Sequence, residues 1–309
     1  MLRVVVLGVA AGGGVPQWNC NCRVCRIARV ERPDLRGTQA SIAVSANNEH
    51  WFLINASPDL RQQVIATPQL HPKPDQLRHS PIAGVILTNG EVDAVAGLLS
   101  LREGWPFTIY AHQRVLSTLK DNSIFNVLSA ERVRREPIEF DTAFEPKLAD
   151  GSSSGLEVVP FLVPGKRAWY LEDAAAPAPD DEAGDTVGLR IADKQSGQYF
   201  FFLAACAAMP PELKMRLKDA PLVFFDGTVW RDDELIVAGL GSKTGQRMGH
   251  MAMSGTDGAI AALADLGIAR KVFLHINNSN LALLPESAER AHVEAAGWLI
   301  PSDGMEIIV

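Results

Sequence analysis

Short apolar, β-branched runs punctuated by glycine recur along this chain: Arg3 to Val9, Ser41 to Val44, Trp51 to Asn55, Gly84 to Thr88, Phe107 to Tyr110, Leu156 to Leu162, Thr186 to Ile191, Gln198 to Leu203, Leu222 to Asp226, Lys271 to Ile276 and Met305 to Val309. Brief apolar runs bounded by turn residues predict buried strands. Helical patterns lie between them. Pro58-Asp59-Leu60 followed by Val64-Ile65 predicts a helical turn opened by proline. Gly97-Leu98-Leu99 begins a second helix, and Thr256-Asp257-Gly258 leads into a third over Ala259 to Leu266. Pro285-Glu286-Ser287 opens a fourth, whose acidic first turn suits the helix dipole. Strands crowded early, helices between later strands and no long linker predict one layered α/β (α+β) domain over residues 1–309. The stretch Ala174 to Asp185, rich in Ala, Pro, Asp and Glu, reads as a mobile surface loop, with a lid over a site as the sharper alternative.

Composition narrows the class of function. The chain is 47% apolar and 21% charged, with a mean hydropathy of +0.04, which describes a globular protein rather than a disordered one. A net charge of −7 without a basic stripe argues against a nucleic-acid partner, since phosphate binding needs clustered Lys and Arg. No run reaches the roughly 18 to 20 unbroken apolar residues of a membrane span. The apolar N-terminus leads from Gly12-Gly13-Gly14 into Pro16-Gln17-Trp18 rather than into a small-residue cleavage site, so it reads as a strand and not as a signal peptide. The expected compartment is the cytoplasm, with no membrane partner; oligomeric state is left open.

The cysteines change the picture more. Cys20, Cys22 and Cys25 crowd one turn-rich segment, too tightly for an ordinary disulfide framework. Thiolates suit zinc, and structural zinc takes four ligands in a tetrahedron, so a fourth must come from elsewhere. The plainer alternative is a set of buried or redox-active thiols without metal. Cys206, alone in the apolar run Phe200 to Ala208, reads as a packed core thiol.

The run Gly84 to Thr88 followed by Asn89-Gly-Glu91-Val-Asp93-Ala94 and Gly97 resembles the metallo-β-lactamase superfamily, whose signature is H-x-H-x-D-H after a strand. That resemblance implies a four-layer αββα sandwich. Asp93 matches by identity, Asn89 and Glu91 stand at the first two histidine positions as oxygen donors, and Ala94 cannot bind a metal. The superfamily's last metal histidine, at a late strand end, maps to His275. Its bridging aspartate falls in Leu203-Ala204-Ala205, and its mid-chain histidine falls where only Pro164 and Gly165 stand. A dinuclear hydrolase needs two ions; this chain keeps too few donors. One hard ion held by Asp93, His275 and Glu91 suits non-haem Fe(II).

The ensemble Gly8, Gly12-Gly13-Gly14, Pro16-Gln17-Trp18-Asn19-Cys20-Asn21-Cys22 and Cys25, Asn55-Ala56-Ser57-Pro58-Asp59, Leu98 to Gly104, Asp226-Gly227-Thr228, Arg247-Met248-Gly249-His250 and His275-Ile276-Asn277-Asn278 resembles the pyrroloquinoline quinone biosynthesis protein B family. The resemblance implies structural Zn2+ at the cysteines and participation in making the quinone. Two roles are implied: hydroxylation of a tyrosine-derived precursor with weakly bound Fe2+ and O2, or non-catalytic binding and carriage of the quinone or its precursor. Likeness to related phosphodiesterases maps the fourth zinc ligand to Asn278. His250, flanked by glycine and methionine, is a candidate for substrate contact or acid/base work, since imidazole titrates near neutral pH; Asp226 would orient it. Lys243 and Arg247, in a glycine-rich basic loop that is not a P-loop, would suit the carboxylates of a small quinone precursor or precursor peptide. Each has a plainer reading: Asp93 as a helix cap, Glu91 as a solvated loop charge, His275 as a histidine satisfied by backbone groups and Asp226 as a turn cap.

Overall fold

The computed structural model describes residues 1–172 and 183–309. The first sheet contains β1 (Arg3–Gly8), β2 (Ser41–Ser45), β3 (Trp51–Ile54), β4 (Ile82–Ile86), β5 (Phe107–Ala111) and β6 (Val133–Pro137). The second contains β7 (Leu156–Leu162), β8 (Val187–Asp193), β9 (Tyr199–Leu203), β10 (Val223–Asp226), β11 (Lys271–Leu274) and β12 (Trp298–Leu299), and β13 (Glu306–Ile308) returns to the first. The orders are β13-β1-β2-β3-β4-β5-β6 and β12-β11-β10-β9-β8-β7. β3 to β6 run parallel, as do β9 to β12.

Side-chain alternation then separates the layers. Val4, Val6, Phe52 and Ile54 point into the space between the sheets, where they meet Phe161, Leu189, Phe200 and Phe202. Val5, Leu7, Trp51 and Leu53 point the other way and pack under Leu60, Leu98, Val115 and Leu119. Those leucines and valine come from helical segments Leu60–Ala66, Ala96–Leu101 and Gln113–Asp121. Beyond the second sheet, Leu217 of Pro211–Leu217 and Val293 of Ala288–Ala295 are buried. The layers are therefore helix, sheet, sheet, helix, the αββα order expected from the sequence. Because both faces are covered, β1 to β3 read as continuous apolar runs, and each fully buried large side chain contributes about 1.5 to 3 kcal/mol.

Several elements differ from the reading of the sequence. β6 carries Arg134, Arg135 and Glu136 and ends on Pro137, a composition that an edge strand tolerates and that conceals it. β12 has only two residues. Gln113–Asp121 is a helix whose polar face hid Val115, Leu116 and Leu119. The helix expected to reach Leu266 is confined to Ala259–Ala262. β11 stops at Leu274 because His275 takes a φ of 57°. The loop expected at 174–185 lies mostly outside the described residues; at its end Asp185 pairs with Arg114 at 2.9 Å. Among the described residues no helix is long and apolar enough to cross a membrane.

The strands that matter for chemistry end at one edge of the sandwich, the usual place for a site in parallel αβ sheets. There the segment leaving β1 meets the segment leaving β11: Ala11 N–H donates to the Ile276 carbonyl at 2.8 Å and Ile276 N–H to Val9 at 3.0 Å. The segment leaving β4 is pinned as closely. Ala56 N–H donates to Ala94 at 2.7 Å and Gly97 N–H to Ala56 at 2.8 Å, and a Cβ on Gly97 would collide with the carbonyls of Ser57 and Ala56. Gly97→Ala should therefore cost about 1 to 3 kcal/mol by overpacking, read as a lower urea midpoint with an unchanged m-value. An unchanged midpoint would refute the close backbone approach.

Candidate metal centre and pocket

A pocket of about 820 Å³ opens at this edge. Among its lining residues are Gly12, Asp93, Lys166, Thr228, His250 and His275. Asp93 comes from the short helix Val92–Val95 after β4 and His275 from the end of β11; His275 Nε2 lies 2.8 Å from Asp93 Oδ2. Gly12 leaves room for that carboxylate, since a Cβ there would sit 3.3 Å from Asp93 Oδ2. His275 holds its left-handed backbone against strain that only a firmly packed surround sustains.

Behind the histidines stands Thr228, two residues beyond β10. Its Oγ1 lies 2.7 Å from Asp226 Oδ1, 2.8 Å from His275 Nδ1 and 3.1 Å from His250 Nδ1. Asp226 is completely buried. Its oxygens accept from Cys206 N–H at 2.9 Å and Thr228 N–H at 3.0 Å, and Oδ2 lies 2.7 Å from His250 Nδ1. One assignment satisfies the set: Thr228 donates its single hydroxyl proton to Asp226, and the imidazoles carry N–H at Nδ1. Nε2 of His250 is then left for other chemistry while Nε2 of His275 faces Asp93, and a ring oriented through Nδ1 is the usual arrangement of a metal-binding histidine. The two rings stack with centroids 5.1 Å apart.

Charge completes the picture. Burial opposes ionisation of Asp93, but the hydrogen bond and charge of His275, with His250 beyond, hold its carboxyl below the usual range. Burial likewise opposes protonation of His275, yet Asp93, Asp226 and Glu91 raise it above the ordinary imidazole value. The two shifts are reciprocal: carboxylate and imidazole each stabilise the charged form of the other. Asp226, His250 and His275 also bring ligand-type atoms within 4.8 Å of one another. Asp226, however, is committed to four donors, so it supports His250 better than it would hold an ion.

The second cluster lies one loop away. Cys20, Cys22 and Cys25 place their sulfurs within 4.8 Å of one another. Backbone N–H groups of Gln17, Cys22 and Cys25 donate to Cys25, Cys20 and Cys22 sulfurs at 3.4, 3.4 and 3.5 Å. Burial, reinforced by its neighbouring thiols, pushes Cys22 up to about 12. Cys20 resists ionisation by burial too, but hydrogen bonds from Cys22, Cys25 and Asn278 bring it below the ordinary thiol value. Asn278 is buried over the sulfurs, its Nδ2 3.2 Å from Cys25 and 3.7 Å from Cys22. The amide turns its nitrogen toward the sulfurs, and the Asn278 backbone carbonyl accepts from Cys22 Sγ at 3.3 Å. Cys206 is buried, as expected of a core thiol, with its sulfur on the Ala208 carbonyl.

Other expected residues have partners of their own. Glu91 Oε1 accepts from Lys166 Nζ at 2.7 Å and from the Trp169 backbone N–H at 3.0 Å. Arg247 is not on the pocket wall, because the turn Gln246–Met248 presents Met248 there. Lys243 does line the pocket and donates to Glu172 at 3.0 Å. Thr228 and Lys166 went unrecognised in the sequence. Thr228 belongs to the Asp226-Gly227-Thr228 motif, two residues from Asp226, a spacing that places both on one side of an extended segment. Lys166 follows the Pro164-Gly165 pair where a histidine was sought; a lysine there carries no metal-ligand signal.

Comparison with known proteins places this architecture. A family described as "Beta-lactamase superfamily domain" matches residues 50–276. The chain is 70% identical over 307 residues to "Coenzyme PQQ synthesis protein B" of Rhodopseudomonas palustris (strain BisB5), covering 99% of each. A crystal structure of Zn(2+)-bound PqqB from Methylobacterium extorquens superposes with a TM-score of 0.93 at 48% identity, covering 99% of this chain and 100% of that one. A diphosphatase from the PhnP family shares the fold at a TM-score of 0.69 and 19% identity, over 99% of this chain and 96% of that one.

Thr228→Val keeps the side-chain shape but takes a partner from Asp226 Oδ1 and from His275 Nδ1. Leaving buried polar groups unpaired costs about 1 to 3 kcal/mol, which chemical denaturation should register. A neutral result would refute the central place of this hydroxyl.

Proposed function

The chain belongs to the coenzyme PQQ synthesis protein B family, within the β-lactamase superfamily, and on that premise we propose that it hydroxylates a tyrosine-derived precursor of the quinone with Fe(II) and dioxygen in the cytoplasm. The observation that carries this reading is the His275–Asp93 contact on the wall of the large pocket, with His250 stacked alongside. An imidazole and a carboxylate that meet on the wall of an open pocket are donors suited to non-haem Fe(II), with solvent or substrate filling the remaining positions. Bound Fe(II) supplies the reactivity toward dioxygen that zinc lacks.

The chain's own groups do the rest. Thr228 fixes the His275 ring so that Nε2 faces Asp93. His250, tied through Nδ1 to Asp226, holds a proton-exchanging nitrogen at the pocket wall. Lys243 commits one N–H to Glu172 and turns its remaining donors to a substrate carboxylate, as point-charge recognition requires. Zinc belongs at the knuckle, where three convergent thiolates match its preference. A carrier role is the second reading. Ala94 at a ligand position, Ala205 at the expected bridging position and Lys166 beyond the expected mid-chain histidine favour it.

Purified protein should hold about one zinc per chain. Cys22→Ser should release it and lower the melting temperature, while Asn278→Ala loses less zinc; stable, zinc-free parent protein would sink the assignment. After anaerobic Fe(II) loading, Asp93→Ala and His275→Ala should each lose iron from the second site and reduce precursor-dependent oxygen uptake by about 100-fold or more, with zinc content unchanged. Normal turnover in both variants would refute the centre, and iron binding without oxygen uptake in the parent would favour carriage.

A further inference from the structure

Two indoles stand in the open at the pocket. Trp18 is 87% exposed and Trp169 67% exposed, yet both line the pocket. Neither stacks on another aromatic ring among the described residues. Large exposed aromatic surface at a concave site is a mark of recognition rather than of folding.

The backbone that carries each indole is anchored. Trp18 sits between Gln17 and Asn19, whose side chains hydrogen-bond to each other at 2.8 Å. The Gln17 backbone N–H donates to Cys25 Sγ and its carbonyl accepts from Arg29 at 2.9 Å. The cysteine knuckle thus fixes the chain on the near side of the indole. Trp169 is mounted by another motif, through Glu91. The Glu91 carboxylate accepts the Trp169 N–H while paired with Lys166, which also lies 2.9 Å from Glu172. The next residue, Tyr170, donates its hydroxyl to the Gly90 carbonyl at 2.6 Å. This largely buried ion pair ties the loop carrying Trp169 to the segment after β4.

We propose that Trp18 and Trp169 form an aromatic mouth that selects a planar ring carried by the substrate, and that the cysteine knuckle and Glu91 are positioning elements for these two indoles. This rests on the pocket being the substrate site, as proposed above, but not on the oxidation chemistry. Glu91 occupies a position where the superfamily keeps a metal histidine; here its carboxylate holds the loop bearing Trp169 instead. The ligand class is an aromatic carboxylic acid, with the ring at the indoles and the carboxylate within reach of Lys243 on the same wall.

The test is calorimetric titration of the zinc-replete, iron-free protein with 3-(4-hydroxyphenyl)propionate and with its saturated counterpart 3-cyclohexylpropionate. The parent should prefer the aromatic acid. Trp18→Ala and Trp169→Ala should each weaken the aromatic acid by about 2- to 12-fold, the range of a ring–ring contact, and weaken the saturated acid less. Trp18→Phe should restore most of the preference. Cys22→Ser should lower it toward the Trp18→Ala level, whereas Asp93→Ala should retain it even if oxygen uptake is lost. Equal losses for both acids, or no loss in either alanine variant, would overturn the aromatic mouth. A retained ring preference in a protein that consumes no oxygen would support it while removing the hydroxylase reading.

Discussion

Four residues after β11, from His275 to Asn278, carry the constraint on which the rest depends. His275 reverses its φ to 57°, which ends the strand and turns the imidazole toward Asp93 from the other sheet. Ile276 then joins the segment leaving β1 through two backbone hydrogen bonds. Asn278 closes over the cysteine sulfurs. One short turn therefore joins two sheets, places an imidazole at the pocket and covers the knuckle. Its strain is sustained because Thr228 holds the turn from within, its Oγ1 lying 2.8 Å from Nδ1 of the His275 ring.

That turn explains how a chain lacking several superfamily ligands keeps an ordered polar centre. Hydrogen bonding organises that centre. Asp226 is wholly buried but has no unmet acceptor in the network: two backbone N–H groups, a hydroxyl and an imidazole surround it. A buried carboxylate without such donors would be destabilising by several kcal/mol, so the network is a condition of the fold as well as of the site.

Around the centre, charged residues serve geometry. The series Glu91, Lys166, Glu172 and Lys243 links the segment after β4, the segment after β7 and the loop before His250 by contacts of 2.7, 2.9 and 3.0 Å. Desolvation disfavours the charge on Lys166, yet its two carboxylate neighbours raise its proton affinity above the ordinary lysine value. Truncating one partner in such a series strands the others, which makes it a rigid strut between loops. Ion pairs thus add to backbone hydrogen bonds and buried apolar contacts in fixing the segments that bound the pocket.

The sequence by itself determined the layered class, most strands and the cysteine cluster, because both signals are local: a run of apolar residues buries itself whatever its partner, and three thiols within one turn converge without help. It also marked Asp93, His250 and His275 through short motifs at strand ends. What it could not decide was pairing across long separations. Asp93 and His275 are 182 residues apart, and nothing in either segment states that Thr228 stands between the two imidazoles. Nor did it reveal that Glu91 would be taken by Lys166, 75 residues away, since a carboxylate offers the same oxygens to a metal and to an ammonium. The edge strand β6 escaped for a related reason: its polar residues are tolerated only because no strand covers its far side. Local propensity sets the elements; the register of two sheets sets which side chains meet, and the chemistry resides in those meetings.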